Sequence, residues 1–132
     1  MGGYLVNAIV IPDAAYKSDQ VEFPLEPFES IEYKYVLDQG DAVLFSWHAE
    51  GEVVYDLHSE EQGSDPEQAV SFATGRSTGE SGTFVAPYSG IHGWFWENRG
   101  PQAVVVSLRT SGFYERAIVY GPGGTYDRVL SD

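Results

Sequence analysis

The stretch SGIHGWFWENR, residues 89–99, decides how the chain is interpreted as a fold. If it is a β-strand, the two-residue side-chain period places His92, Trp94 and Trp96 together on one face. That face carries an imidazole beside two indoles. A face of this composition is either a wall of the core or a binding platform, and the pattern leaves both open.

The same period recurs on both sides of this stretch. Residues 30–37 alternate apolar with polar side chains, which is typical of a half-buried antiparallel strand. Residues 42–49 and 53–58 alternate as well, and the turn at 50–52 predicts that they form a hairpin. Residues 102–109 are the most hydrophobic segment, which predicts a central strand. With no sustained helical spacing, seven to nine short strands predict an all-β fold, an antiparallel β-sandwich or jelly roll.

The length suits one domain covering residues 1–132. Residues 1–29 are expected to form an extended N-terminal arm or edge strands, because the runs 6–11 and 21–28 end at or contain proline. Residues 121–132 are glycine-rich at their start and are expected to form a flexible C-terminal tail. The first residues resemble a trimmed start and lack the features of a signal peptide.

Charge and composition exclude several classes of function. Seven Lys and Arg against twenty Asp and Glu give a net charge of −13, which repels nucleic acid and anionic lipid. The chain has no cysteine, so it has neither disulfides nor thiolate chemistry. No apolar run is long enough to span a bilayer, so any membrane contact would use a segment outside this chain.

The histidines allow a metal site as an alternative. His58 and His92, with oxygen from Asp56 or Glu60, would suit zinc, copper or nickel if their two strands meet. The other interpretation is that each imidazole bonds the backbone or a carboxylate and braces the aromatic wall, with no cofactor. The acidic segment 59–68 lacks the ligand spacing of a calcium loop and is expected to be a solvated rim.

Catalysis is the least favoured class of function. No Gly-x-Ser-x-Gly elbow is present between a strand and a helix. Carboxylate pairs drawn from Asp56, Glu60 and Glu97 could line a cleft, but such pairs arise easily in an acidic chain. We therefore expect no catalytic residues, and a hydrolase is kept only as a further alternative.

An aromatic binding surface is the alternative to a purely structural role for the tryptophan strand. Aromatic faces stack on sugar rings or on the apolar side chains of a peptide. If the indoles are instead core, their N–H groups need partners such as Asn98, Asp56 or Glu97. The candidate ligand-binding residues are Tyr55, Asp56, His58, His92, Trp94, Trp96 and Asn98.

Three motifs carry a resemblance to a known family. They are GDAVLFSW at residues 40–47, VYDLH at 54–58 and GTFVAPYSGIHGWFWENR at 82–99. Over about residues 28 to 116 the chain resembles the soluble domain of bacterial transmembrane anchor proteins, and more loosely GOLD-like and pre-peptidase C-terminal β-sandwich modules. The resemblance implies a single-pass inner-membrane protein with this domain in the periplasm and no established enzymatic activity.

The sequence thus favours a non-catalytic, extracytoplasmic binding domain of a membrane-anchored bacterial protein, with a protein partner or small ligand. A metal-binding module using His58 and His92 is the alternative, and a hydrolase comes after it. Exposed edges at residues 21–28 or 6–11 also predict a homo-oligomer formed by pairing or exchange of strands.

Overall fold

A computed structural model describes residues 9–130 and confirms the predicted all-β class with eight antiparallel strands. The strands are β1 (Lys17–Leu25), β2 (Ser30–Leu37), β3 (Ala42–Glu61), β4 (Val70–Val85), β5 (Gly90–Glu97), β6 (Val104–Gly112), β7 (Arg116–Gly121) and β8 (Gly124–Val129). The one helical element in this part of the chain is a short 3₁₀ turn at Pro66–Gln68. Within residues 9–130, no helix has the length and apolar character needed to cross a bilayer.

The long strand β3 organises the sheet, because each of its halves has a different neighbour. Residues 43–49 pair with β6, residues 54–61 pair with β5, and β4 follows β3 on its other side. The register breaks between His48 and Val53, where β3 bends. The bend divides one sheet into two layers. Layer 1 contains β1, β6 and the adjoining halves of β3 and β4, and layer 2 contains their other halves with β5, β2, β7 and β8.

The core lies between these layers and is largely aromatic. Trp47 of layer 1 packs on Trp96 of layer 2, with ring centroids 5.8 Å apart. Phe23 of β1 packs in the same way on Tyr33 of β2, at 5.3 Å. Strand alternation points these side chains inward, and the first pair has the edge-on geometry that aromatic rings prefer, whereas the second is tilted.

A buried polar network joins the first strand to the last. The hydroxyls of Tyr33 and Tyr35 donate to Asp19 Oδ2, at 2.5 Å and 2.8 Å. Arg128 of β8 donates to Asp19 Oδ1 at 3.2 Å and also contacts the Tyr33 hydroxyl. Burial raises the pKa of Tyr35 well above its usual value. The network therefore stabilises the contact of β1 with β8, where no backbone ladder is formed in the described chain.

Two of the expected elements differ in the structure. Residues 50–52 do not reverse the chain, because they lie in the bend of β3 and carry it from one layer to the other. Of the tail expected at 121–132, residues 124–129 form β8, since the connection at 122–123 returns the chain along β7, and residues 131–132 lie outside the described part. Of the predicted first strand at 6–11, residues 6–8 lie outside the described part, and residues 9–11 have no regular secondary structure.

Other expectations on strand position agree with the structure. The segment 102–109 corresponds largely to β6, which lies inside layer 1 between β1 and β3. The proline-containing segment 21–28 overlaps β1, which lies at one end of the strand order. Proline is tolerated there because one side of the strand needs no ladder donor.

Candidate binding site

The structure places most of the predicted ligand-binding residues in the interior. The buried members of that set are Tyr55, His58, His92, Trp94, Trp96 and Asn98, and all of these except His58 lie on the inward side of the sheet or in the turn after β5. The inward face of β5 is therefore a core wall, and its indoles and imidazole are not offered to a ligand as a platform. Only Asp56 and His58 have side chains on an outer face of the sheet.

Asn98 has a structural role. Its Nδ2 donates to the carbonyls of Leu25 and Gln102, at 3.0 Å and 2.8 Å, and its Oδ1 accepts from the Gly100 amide at 2.9 Å. These bonds fix the turn after β5 and connect it to the end of β1. The side chain is thus not a partner for an indole, and among the described residues the Nε1 atoms of Trp47 and Trp96 have no hydrogen-bond partner.

His92 pairs with a serine inside the core. Its Nδ1 lies 2.6 Å from Ser59 Oγ, and the two residues are 1% and 0% exposed. Burial lowers the pKa of His92 from 6.5 to about 4, with the backbone of Tyr88 acting in the opposite direction. This serine–histidine pair resembles part of a hydrolytic site, but no substrate can reach it in this structure.

The structure does not bring His58 and His92 together. In the ladder between β3 and β5, His92 pairs with Ser59 and His58 pairs with Gly93. Neighbouring positions along a strand point to opposite faces, so the His92 imidazole enters the core and the His58 imidazole lies on the outer face of the sheet. The shared metal site expected from these two residues is therefore not formed, and within residues 9–130 no group of three or more His, Asp or Glu is arranged to hold an ion.

The outer face of layer 2 instead carries a compact group of charges. We call it the Lys34 cluster, and its members are Glu32, Lys34, Asp56, His58 and Glu60. Two come from β2 and three from β3, with β5 between these strands. Strand alternation puts each set on the outer face, and the order of strands brings the two sets within reach of each other.

Gly93 makes this arrangement possible at the centre of the face. It pairs with His58 on one side and with Lys34 on the other, so the three residues form one row across the sheet. A Cβ atom at this position would lie 2.1 Å from the carbonyl oxygen of Tyr33. Only glycine therefore allows β2 and β5 to approach this closely, and its missing side chain leaves room for the charges to meet above it.

The ion pairs of the Lys34 cluster run diagonally across the row formed by His58, Gly93 and Lys34. Lys34 Nζ lies 2.5 Å from Glu60 Oε2 and 3.8 Å from Glu32 Oε1, although the lysine is only 3% exposed. His58 Nε2 lies 3.3 Å from Glu32 Oε1. The hydrogen bond from His58 lowers the pKa of Glu32, and the charge of Lys34 acts in the same direction against the effect of burial. The cluster thus holds two carboxylates beside the buried ammonium group of Lys34, and a third carboxylate, from Asp56, lies 3.7 Å from His58 Nδ1.

A groove adjoins the cluster at the acidic end of the molecule. Its volume is about 440 Å³, and the half-buried side chains of Val36 and Ile91 line it. Three carboxylates, from Asp38, Glu60 and Glu61, also line it. The one basic side chain there is Arg116, which is paired with Asp127 at 2.6 Å. We call this the acidic groove. It combines apolar surface with excess negative charge, which suits a cationic side chain on an apolar stem.

A larger groove, of about 530 Å³, lies at the bend of β3, where Glu50 and Arg76 face the turn that Asn98 fixes. Its lining contains both signs of charge. Glu50 already accepts from the Val105 amide at 3.1 Å, and Arg99 pairs with Glu97 at 2.7 Å. This groove therefore lacks the uniform electrostatic character of the acidic groove.

Sequence reasoning missed the central members of the site. Alternation placed Lys34 on an outward face, but it did not reveal that this lysine is buried. The order of β3, β5 and β2 creates the contact with Glu60, and strand order cannot be obtained from periodicity. The one available signal is Gly93, a glycine within a strand pattern, which indicates close backbone approach.

No protein-family model matches the chain. No curated protein matches it at a significant level. Among solved structures, the chain is similar to PliG from Aeromonas hydrophila, a periplasmic lysozyme inhibitor of g-type lysozyme, at 19% identity and a TM-score of 0.49. The alignment covers 79% of this chain and 92% of that chain. This similarity is too low for the activity of that protein to be transferred.

Proposed function

We propose that this chain is a non-catalytic binding domain that engages a basic segment of a protein partner through the outer face of layer 2. The contact surface consists of the Lys34 cluster and the acidic groove. The observation that carries the proposal is the continuity between them, because Glu60 belongs to both. A partner bound in the groove would therefore contact charged groups whose positions are fixed by the cluster.

Charge supports a cationic partner. The net charge of −13 attracts basic surfaces over long range and accelerates encounter with them. In the acidic groove, Glu60 is held by Lys34, whereas no ion pair involves Glu61 or Asp38 within the described chain. These two carboxylates are free to pair with arginine or lysine at short range.

Enclosure of the Ser59–His92 pair supports a non-catalytic role. Both side chains are buried, and the lowered pKa of His92 keeps its imidazole neutral at physiological pH. A base that cannot meet a substrate does not contribute to turnover. The same bonds instead hold the imidazole in the aromatic wall.

An extracytoplasmic position and attachment to the inner membrane are part of the proposal. They rest on the resemblance to bacterial transmembrane anchor proteins. Fusion of this chain, within its natural full-length protein, to a reporter active only outside the cytoplasm should give signal in the membrane fraction. Signal from a cytoplasmic reporter in the same position would contradict this part without affecting the binding surface.

A short peptide of alternating arginine and leucine can serve as the probe for the acidic groove. We expect NMR shifts on addition of the peptide to centre on Glu60, Glu61 and Ile91. The double variant Asp38→Asn/Glu61→Gln should weaken binding about threefold for each removed charge, since both carboxylates lie at the rim.

The matched control is Glu22→Gln, which removes one carboxylate from the exposed outer face of layer 1. It should change the affinity by less than about twofold. Equal weakening by the control would mean that the probe responds to net charge alone. Shifts centred on the larger groove at the bend of β3 would likewise overturn the proposed surface.

A further inference from the structure

Strand β4 is a long free edge of the sheet. It extends over 16 residues and pairs with β3 on one side, and no described strand pairs with its other side. Proteins usually protect such edges with charged residues, proline or a covering element. β4 contains no proline or lysine, and its two charged residues, Arg76 and Glu80, cancel. Its outward backbone groups are therefore available to another strand.

Apolar side chains accompany this edge. Val70, Phe72 and Val85 of β4 are all exposed, and so is Leu44 of the neighbouring β3, which pairs with Thr83 and is thus diagonal to Val85. The other edges differ. β1 carries Lys17, Asp19, Glu22 and Pro24, and β8 is only 6 residues long. The edge strand β8 also exposes Tyr126 and Val129, but among the described strands β4 offers the longest unpaired backbone together with exposed apolar surface.

A second uncovered apolar element precedes β1. Ile9, Val10 and Ile11 are 79%, 68% and 87% exposed. Three consecutive β-branched residues favour extended backbone and strand pairing. The sequence from residue 2 to residue 12 contains no charged side chain. This segment and β4 each carry no net charge, so their contact adds no charge repulsion to that between two acidic copies.

The sheet register shows why a second copy is the suitable source of this segment. Lys17 pairs with Gly112, Gly112 with Val43, and Val43 with Phe84. The start of β1 thus lies three strand spacings, about 14 Å, from β4 on the far side of β6 and β3. The segment would have to cross the whole of layer 1 to reach its own free edge. The corresponding segment of a neighbouring molecule can approach that edge directly.

We infer that two copies of this chain form a homodimer in which Ile9–Ile11 of each copy adds as a strand to β4 of the other. Each copy gives its segment to the other, so the two copies are related by a two-fold axis. Both β4 edges are then paired, and the assembly ends at two copies. This inference is independent of the proposed binding surface, which lies on the outer face of layer 2.

Light scattering across a concentration series tests the assembly with the full chain. The expected result is a dimer that dissociates on dilution. Ile11→Asp should raise the dimer Kd at least about tenfold, since it places a charge in an apolar contact. The matched control is Val129→Asp, which alters an equally exposed residue, at 87%, on β8. A monomer at every concentration, or equal effects of the two variants, would overturn the inference.

Cross-linking identifies the contact, because the chain has no native cysteine. A Val10→Cys copy mixed with a Thr83→Cys copy should give a cross-linked dimer with a short bismaleimide, whereas Val10→Cys mixed with Gln20→Cys on β1 should not. In the double variant Val10→Cys/Thr83→Cys, cross-linking inside one molecule at high dilution would assign the segment to its own edge. That outcome, or equal cross-linking to Gln20→Cys, would overturn the exchange.

Discussion

The two outer faces of this sheet follow the same alternation but differ in what they do with polar side chains. On layer 1, short hydroxyls bond in neighbouring pairs, as Ser46 does with Ser81 at 2.9 Å and Ser18 with Ser111 at 3.2 Å. Arg109 lies on the same face and is exposed. On layer 2, by contrast, Lys34 is buried in a network that crosses a whole strand.

The difference comes from the middle strand of each face. In layer 1 the strand between β1 and β3 is β6, which carries side chains at its outward positions Val105, Ser107, Arg109 and Ser111, so each polar group meets only its immediate neighbour. In layer 2 the outward position between His58 and Lys34 is Gly93, and long side chains reach across it. An outward-facing charge in a strand is therefore not always a solvated one. Its surroundings depend on what the adjacent strand places beside it.

The largest expected effect comes from filling that gap. Gly93→Ala would place a methyl group against the Tyr33 carbonyl, and we expect a loss of about 4 kcal/mol in the free energy of unfolding. Gly82→Ala is the control, because its Cβ would meet only the ring of Phe45 at 3.2 Å, which can shift. Urea denaturation of both variants measures the difference. Similar losses would show that close approach at Gly93 is not what shapes the face.

The next effect separates the imidazole buried under layer 2 from the one exposed on layer 1. Because the folded-state pKa of His92 is lowered from 6.5 to about 4, the unfolded chain binds a proton first as pH falls. Stability is thus fully present above pH 6.5 and is lost between pH 6.5 and 4, by up to about 3 kcal/mol.

Denaturation midpoints measured across this range test the effect. His92→Gln should flatten the pH profile, and His48→Gln, an exposed change on layer 1, should leave it as it is. NMR titration of the His92 imidazole provides a direct reading if the variant does not fold. An imidazole that titrates near 6.5 would contradict the prediction.

The smallest expected effect compares one cation on each face. Lys34→Ala leaves Glu60 half-buried without its partner and should cost about 2 kcal/mol. Arg109→Ala removes an exposed cation and should change stability by no more than about 0.5 kcal/mol. Thermal or urea unfolding measures both changes.

The double variant Lys34→Met/Glu60→Gln should recover part of the loss, because it removes the uncompensated carboxylate. If Lys34→Ala and Arg109→Ala were equally mild, the two faces would not differ energetically, and the cluster would be an ordinary surface ion pair.

Periodicity was sufficient to predict the strands and their buried sides in favourable segments. The alternation in residues 30–37 predicted β2 with its bounds, and Tyr33, Tyr35 and Leu37 are buried as expected. The same periodicity could not decide whether the His92, Trp94 and Trp96 face of β5 is core or a binding surface. A period of two separates the two faces of a strand but does not show which face is buried. Packing of Trp96 on Trp47 across the layers decides that point.

Long-range geometry accounts for what the sequence could not provide. Glu50, Gly51 and Glu52 have turn chemistry, yet the strand continues through them, because both halves of β3 find partners in different layers. The contact of Lys34 with Glu60 likewise depends on strand order. Asp56 and His58 were identified from the sequence, but only the structure shows that they lie on the outer face, whereas His92, Trp94 and Trp96 of the predicted set face the core.

The continuity of β3 and β4 also has a consequence for the order of folding. Their ladder begins at Ser59 and Val70, which are close in sequence, and it lengthens outward by adding one pair after another. β1 meets β6 only when Lys17 finds Gly112 near the other end of the chain. Loop closure favours contacts that are near in sequence, so we expect this hairpin to form in the transition state while β1 docks late. A nascent chain would thus acquire its bent hairpin before the sandwich closes around it.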